Sequence, residues 1–219
     1  MSPLKKATPD HPVQQLIVRR WSPYAFADRP VSDDDLRSVF EAARWSASSY
    51  NEQPWRYIVA TKASPAEYER LLSCLVEGNQ AWARAAPVLA LGCASLHFAL
   101  NGQPNAAAEH DLGLASATLA LEATSRGLSV HQMIGILPDK ARELYRIPDG
   151  VRPLTGLAIG YAADPGAPPE NLRGRDLALR TRRPLAEFVF GGRRGTASDL
   201  ANPGAPGPVV ISSRSSTRI

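Results

Sequence analysis

Hydrophobic and polar residues follow helical spacing in some segments of the chain and strand spacing in others. Helical spacing is clearest after Ser32, in an apolar stripe of Leu36, Val39, Phe40 and Ala43. Ser32 is a preferred N-cap residue, and three aspartates follow it, where the helix dipole favours negative charge. The pattern therefore predicts a helix that begins directly after Ser32.

The same reasoning predicts the other elements of the chain. Further helices are predicted at 16–20, from 65, at 104–126 and at 138–145. Strands are predicted at 56–61, 88–94, 128–134 and 154–162. Gly127 is expected to end the long helix, because glycine adopts the left-handed conformation that follows many helices. Strands separated by helices predict an α/β or α+β sheet domain.

The composition changes near residue 195, after which Gly, Pro, Ala and Ser dominate. Such a segment buries too little apolar surface to offset the entropy of ordering it. We therefore predict a flexible N-terminus at 1–11, one folded domain at 12–195 and a disordered tail at 196–219.

The charge of the chain is basic, with 25 Lys and Arg against 21 Asp and Glu, a net charge of +4. Of this excess, +3 belongs to residues 193–219, which hold four Arg and one Asp. A basic chain is compatible with nucleic acid, an anionic membrane or an anionic small ligand. Because the folded part is almost neutral, its positive charge has to act locally.

The two cysteines, Cys74 and Cys93, form no CxxC motif and cannot build a disulfide framework. Both lie among apolar residues and are interpreted as small buried hydrophobic residues. The N-terminus lacks the apolar region of a signal peptide, and the longest apolar run, 85–100, is too short to span a bilayer. We therefore expect a cytoplasmic protein with no membrane partner.

Several common motifs are absent from the sequence, namely GxGxxG, GxxxxGK[ST], GxSxG and HExxH. The four histidines show no metal-ligand spacing. A Rossmann-type dinucleotide site, a P-loop and a zinc hydrolase all lose support, and no metal is expected.

Three short clusters remain as candidates for chemistry. Arg19-Arg20-Trp21-Ser22 offers two guanidinium groups beside a hydroxyl, which together can hold a phosphate. The segment 46–55, SASSYNEQPW, collects hydroxyls and amides in a loop that Pro54 makes extended. The segment 180–183, RTRR, is a second cationic cluster at the other end of the domain.

In this order and at this spacing, the clusters resemble the FMN-dependent nitroreductase family. The resemblance rests on RRWSPYAF, ARWSASSYNEQPWRYIVAT, NQAWARAAPVL, GLSVHQMIGI, PLTGLAIGYAADP and RTRRPLAEFV, and it covers roughly residues 12–195. It implies an α+β fold with a central, mainly antiparallel sheet wrapped by helices. It also implies an intertwined homodimer with FMN bound at the subunit interface.

The resemblance further implies a ping-pong oxidoreductase. NADH or NADPH would reduce bound FMN, which would then reduce a nitroaromatic, quinone or related small-molecule acceptor. No catalytic side chain is expected, because the flavin carries the chemistry and the protein orients it.

The resemblance assigns cofactor-binding roles to individual residues. The family's phosphate-binding positions correspond to Arg20 and Ser22 and, more loosely, to Arg19. At the C-terminal end they correspond to Arg180 and Arg182, for which Arg183 is an alternative. The flavin ring is matched by the loop residues Ser48, Ser49 and Asn51, by Asn79, and by the backbone of Ile134 and Gly135. Gln53, Pro54 and Trp55 match the frame of the loop.

Two positions depart from the family pattern. Tyr24, counted among the cofactor-binding residues, lies where many members carry Arg or Lys, and Trp82 lies where several carry Lys. Cations there lie near the flavin edge that becomes negative on reduction, so their loss makes reduction harder unless Arg84 or a backbone dipole replaces them. The alternatives are a flavin-binding or flavin-sequestering protein without nitroreductase turnover, and a basic nucleic-acid-binding protein. No recognised nucleic-acid motif supports the second of these.

Overall fold

The computed structural model describes residues 5–164 and 166–201. The helices are α1 (Gln15–Arg19), α2 (Asp33–Arg44), α3 (Pro65–Leu72), α4 (Glu77–Ala83), α5 (Ala108–Ser125), α6 (Pro138–Tyr145) and α7 (Glu170–Leu177). The strands are β1 (Trp55–Thr61), β2 (Val88–Ser95), β3 (Ser129–Met133) and β4 (Val151–Gly160).

The chain divides into two compact units between Arg180 and Thr181. The first unit holds the sheet and the seven helices named above. The second holds two short 3₁₀ helices, Leu185–Glu187 and Asp199–Ala201, and a β-bridge between Phe190 and Ala197. The predicted tail at 196–219 lies outside the described residues from position 202 onward.

The four strands form one antiparallel sheet in the order β1-β2-β4-β3. Trp55 pairs with Ala94 at the start of β1, and the pairing of β2 with β4 shifts between Gly92 and Cys93. The prediction of an α+β fold with an antiparallel sheet is confirmed. The continuous apolar run of β2 has its explanation here, because this central strand is covered on both faces.

Each face of the sheet packs against its own helices. One face carries α3, α4 and α6, with Leu71 and Trp82 among the fully buried side chains. The other carries α2 and α5, with Val39 and Leu119 fully buried. Burying one such aliphatic side chain stabilises the fold by about 1.5–3 kcal/mol.

Local signals in the sequence set several element boundaries. The Ser32 hydroxyl accepts a hydrogen bond from the Asp35 backbone N–H at 3.1 Å, which confirms the predicted cap of α2. Gly127 has φ of 75° directly after α5, and the Leu128 N–H donates to the Ala123 carbonyl at 2.8 Å. These contacts confirm the predicted end of the long helix.

Other boundaries differ from the predictions. The long helix begins at Ala108 rather than 104, because the buried Asn105 side chain accepts the Ala107 N–H and forms a turn first. Neither α4 nor α7 is predicted by the sequence pattern. Both are short, and α7 buries only Asp176, so neither shows the apolar stripe that reveals a helix.

Candidate functional site

An extended segment leads from the end of α1 to the sheet and carries the first group of candidate residues. Trp21 and Phe26 are buried, and Phe26 forms a β-bridge with Ala162. Arg20 and Ser22 are half-buried, and Arg20 Nη1 donates to Ser22 Oγ at 3.2 Å. The segment thus holds a guanidinium beside a hydroxyl, a donor set suited to phosphate oxygens.

Three rings, Tyr24, Trp82 and His131, pack against one another and form what we call the aromatic cluster. The ring centroids lie 5.1 Å apart for Tyr24 and Trp82, 4.6 Å for Tyr24 and His131, and 4.4 Å for Trp82 and His131. Trp82 is only 2% exposed, whereas the other two rings are half-buried. Trp82 therefore forms the base of the cluster. The accessible surface of the cluster belongs to Tyr24 and His131.

His131 connects strand β3 to the N-terminal segment. Its Nδ1 lies 2.8 Å from the Pro23 carbonyl oxygen, so Nδ1 carries the proton and donates it to that acceptor. Burial lowers the pKa of His131, and the nearby Arg20 charge lowers the pKa further, while the Pro23 hydrogen bond acts in the opposite direction. The imidazole is therefore neutral at neutral pH, with Nε2 as an acceptor.

Asn79 joins α4 to the segment that follows β3. Its Nδ2 donates to the Gly135 carbonyl at 2.9 Å, and its Oδ1 accepts from Trp82 Nε1 at 3.3 Å. A β-carbon at position 135 would collide with the Asn79 amide and lie 2.9 Å from Val76 Cγ2. Asn79 therefore holds Gly135 and Trp82 in place, and position 135 requires glycine.

Ile134 precedes this glycine and is 71% exposed. The carbonyls of Ile134 and Gly135 accept the N–H groups of Ile136 and Val76, at 2.7 and 3.1 Å, which fixes both peptide groups. A cleft of about 170 Å³ borders Ile134, between α5 and the paired strands β3 and β4. The two predicted backbone positions are thus rigid and lie next to accessible apolar surface.

Residues 46–53, which we call the polar loop, connect α2 to β1. Tyr50, Asn51 and Gln53 have φ of 52°, 56° and 52°, in the left-handed region that residues other than glycine adopt less often. The Ser48 hydroxyl accepts the Gln53 N–H at 3.0 Å, and Tyr50 is 92% exposed. Strained backbone of this kind is often found at functional sites.

Asp111, at the start of α5, supports the polar loop through a hydrogen bond. Its side chain is buried, and its Oδ2 accepts the Ser49 N–H at 3.0 Å. His110 Nδ1 lies 3.1 Å from the other carboxylate oxygen. Asp111 is not among the predicted site residues, because no local pattern shows that it faces a loop 62 residues earlier.

The C-terminal cations occupy different surroundings. Arg180 Nη1 donates to the Val18 and Lys5 carbonyls at 2.7 and 3.2 Å, which brings Arg180 to the helix that ends beside Arg20. Arg182 belongs to the second unit and donates to the Thr181 carbonyl. Arg19 is exposed on α1.

The predicted residues fall into two groups. The structure brings Arg20, Ser22 and Tyr24 together with Asn79 and the glycine it holds, through contacts with His131 and Trp82. Ser48, Ser49 and Asn51 form the second group, in the polar loop. Among residues 5–164 and 166–201, no hydrogen bond or ring contact joins the polar loop to the aromatic cluster.

Other kinds of site find no support in the part of the chain that the structure describes. There, no three His, Cys, Asp or Glu side chains are arranged to hold a metal ion, and no helix has the length and apolarity needed to cross a bilayer. Cys74 and Cys93 are buried free thiols, as predicted, and burial raises the pKa of both.

Comparison with known proteins decides the family. The sequence profile of the Nitroreductase family matches residues 17–161, which is more than half of the chain. The chain belongs to the nitroreductase family. The matched residues include the segment of Arg20, the polar loop and all four strands.

Individual relatives agree with this membership. A solved structure of an oxidoreductase containing FMN is 36% identical, covers 88% of this chain and 98% of its own, and has a TM-score of 0.82. An uncharacterized 15.4 kDa protein of Mycolicibacterium smegmatis is 35% identical over 61% of this nitroreductase-family chain and 88% of its own length. The FMN reductase [NAD(P)H] of Bacillus subtilis is 29% identical over 65% of this chain and 63% of its own length. The match to the Bacillus protein thus spans less than two thirds of that relative.

Proposed function

We propose that this nitroreductase-family protein is an FMN-dependent oxidoreductase that uses NAD(P)H to reduce small acceptors such as nitroaromatics or quinones. The observation that carries the proposal is the Arg20–Ser22 pair beside the aromatic cluster, in a chain of this family. Two relatives, an oxidoreductase containing FMN and an FMN reductase [NAD(P)H], support the cofactor and the hydride donor.

The residues present fit FMN by the chemistry of their donor groups. Arg20 and Ser22 offer a guanidinium and a hydroxyl for the phosphate, and Arg180 adds positive charge at the neighbouring end of α1. The fixed peptides of Ile134 and Gly135, next to exposed apolar surface, suit a planar aromatic ring. Arg182 and Arg19 remain predicted phosphate contacts, and Ser48, Ser49 and Asn51 remain predicted ring contacts.

The chain supplies binding and orientation. When bound, FMN supplies the hydride and electron-transfer chemistry that the side chains lack. Arg20 and Ser22 fix the phosphate, and Asn79 fixes the peptide of Gly135, so that the ring edge meets rigid backbone. His131, neutral and anchored on the Pro23 carbonyl, holds Tyr24 against Trp82.

We further propose a homodimer in which the polar loop of one subunit covers the flavin bound by the other. The loop carries a 92% exposed Tyr50 and three residues with strained backbone. Among the described residues, its contacts with the loop after β2 include a ring contact between Tyr50 and Phe98 and a hydrogen bond from the Ala99 N–H to Glu52. Exposed apolar side chains such as Trp45, at the end of α2, and Leu100, in the loop after β2, suit a protein interface. The two free thiols are in keeping with a cytoplasmic location.

The decisive test is steady-state kinetics with the purified protein supplemented with FMN. NADH or NADPH is varied against a quinone and, separately, against a nitroaromatic acceptor. Ping-pong kinetics, with parallel lines in double-reciprocal plots, are expected. No consumption of either nicotinamide with any acceptor would refute the proposed activity.

A second candidate function is flavin binding without turnover. The observation that favours it is the replacement of two cation positions by Tyr24 and Trp82, with Trp82 buried. Anaerobic mixing of the FMN-loaded protein with NADH and NADPH separates the two, because loss of the flavin absorbance within the mixing experiment excludes the second function.

A further inference from the structure

The residues at the two departing positions carry no charge, which leaves the flavin site in need of a cation. Trp82 is 2% exposed and packs edge-on against Tyr24. Arg84, which the sequence analysis considered as a replacement, lies at the end of α4, where its Nε donates to the Gln80 carbonyl. The positive charge of Arg84 acts to lower the pKa of the Tyr68 hydroxyl, on the sheet face that carries α3. Among the described residues, the contacts of Arg84 do not include Tyr24, so a cation beside Tyr24 comes from another element.

Helix α7 places a cation, Arg175, beside Tyr24. Arg175 Nη1 donates to the Tyr24 hydroxyl at 3.0 Å, and the guanidinium carbon lies 5.8 Å from the centroid of the Tyr24 ring. This is cation–π distance, so the guanidinium meets both the ring and its hydroxyl. No carboxylate of the described residues lies within ion-pair distance of Arg175. The Tyr24 hydroxyl and ring are therefore the contacts of its guanidinium described above.

The end of α7 is fixed against Tyr24 by buried groups. The Asp176 carboxylate is 2% exposed, and its two oxygens accept the Tyr24 N–H at 3.2 and 3.0 Å. Lys5 Nζ is buried as well, and it donates to the Arg175 and Ala178 carbonyls at 2.9 and 2.6 Å. These hydrogen bonds of Asp176 and Lys5 thus fix the backbone of Arg175 beside Tyr24.

We propose that Arg175, acting through the Tyr24 hydroxyl, is the positioned cation of the flavin site and favours reduced FMN over oxidised FMN. The inference rests on the proposed function and on the family resemblance, which implies that position 24 lies near the flavin edge that becomes negative on reduction. A hydroxyl that accepts from a guanidinium is polarised and becomes a stronger donor. Arg175 is a positioning residue, since Tyr24 lies between it and the cofactor.

The test compares the affinity of the protein for oxidised and reduced FMN. Oxidised affinity is measured by quenching of flavin fluorescence, and the midpoint potential by anaerobic equilibration with a reference dye. In Arg175→Gln we expect the preference for reduced FMN to fall about tenfold, which for a two-electron couple equals roughly 30 mV. The affinity for oxidised FMN should stay within about twofold, and the loss should shrink at high salt, because Arg175 is exposed.

Matched variants separate this role from general charge and from folding. Arg173→Gln removes an exposed charge from the same helix and should leave the potential unchanged. Tyr24→Phe keeps the ring but removes the hydroxyl, so it should reproduce the loss, with no further loss in the double variant. Arg175→Lys should recover part of the preference for reduced FMN.

Three results would overturn the inference. The first is an unchanged potential in Arg175→Gln while the parent protein binds and reduces FMN, which leaves the proposed function intact. The second is an equal loss in Arg173→Gln. The third is a parent protein that takes up no FMN, which overturns the proposed function and the inference together.

Discussion

The aromatic cluster and the polar loop are both candidate flavin-binding regions, yet they are built in opposite ways. The cluster is held by ring packing, with a base that is 2% exposed, and by hydrogen bonds from His131 to the Pro23 carbonyl and from Trp82 to the Asn79 side chain. The polar loop has positive φ at three residues other than glycine and a tip that is almost fully exposed. One region is fixed by the core of the chain, and the other is held by a few hydrogen bonds.

This difference predicts that the two regions contribute differently to FMN binding. The cluster and its neighbours Arg20 and Ser22 are complete within one chain, so we expect them to determine the affinity for FMN. The tip of the polar loop is exposed at Tyr50, so we expect the loop to bury this surface when a second subunit and the cofactor are present. Substitutions in the two regions should therefore affect different measurements.

The largest effect is expected from truncating the base of the cluster. Trp82→Ala should lower the free energy of unfolding by about 3–5 kcal/mol, because it leaves a cavity under Tyr24 and His131. Tyr50→Ala, at the loop tip, should change it by less than about 0.5 kcal/mol. Urea unfolding of the two variants is the measurement, and equal losses would contradict the comparison.

The next effect concerns cofactor affinity. Arg20→Ala should weaken FMN binding by about 1–3 kcal/mol, roughly 5- to 150-fold, because it removes a charge-assisted bond to the phosphate. Arg37→Ala, which removes an equal charge from the exposed side of α2, is the matched control and should leave the affinity unchanged. Fluorescence titration measures both. An Arg20→Ala protein with parental affinity would show that the phosphate lies elsewhere.

A smaller effect is expected from the support of the polar loop. Asp111→Ala removes the acceptor of the Ser49 N–H and should reduce the free energy of unfolding by about 1 kcal/mol. Hydrogen exchange should become faster at Ser49 while the amides of β3 keep their protection. Faster exchange throughout the sheet would mean that Asp111 supports the core rather than the loop.

The smallest effect is a pH dependence from His131. Burial lowers the pKa of this imidazole in the folded chain, so below about pH 6.5 the unfolded chain binds a proton that the folded chain excludes. The contribution of His131 is therefore full above that pH, falls as the pH decreases, and levels off below the folded pKa. His131→Gln should show a weaker loss of stability between about pH 8 and about pH 5, measured by urea unfolding. An unchanged pH dependence would contradict a neutral buried imidazole.

The sequence predicted the fold better than it predicted the contacts of the site. Periodicity and a cap predicted α2, a long Ala- and Leu-rich segment predicted α5, and short apolar segments predicted the strands, because each of these signals lies within its own element. The same method could not reveal α7, whose only buried residue is an aspartate. The order and spacing of motifs indicated Arg20, Ser22 and the polar loop.

Long-range partners had no signal in the sequence. The contacts of Tyr24 with Arg175 and Asp176 join positions about 150 residues apart, and no local pattern shows which charged side chain a tertiary fold brings to a given ring. His131 was interpreted only as a non-metal histidine, because its packing against Trp82 and Tyr24 depends on how β3 meets α4 and the N-terminal segment.

The visible absorption spectrum of the purified protein, recorded without oxygen before and after addition of NADH or NADPH, tests the central claim most directly. The account predicts a yellow protein, or one that becomes yellow when FMN is added and excess cofactor removed, and loss of the flavin band when at least one nicotinamide is added. A colourless protein that retains no added FMN would contradict the account.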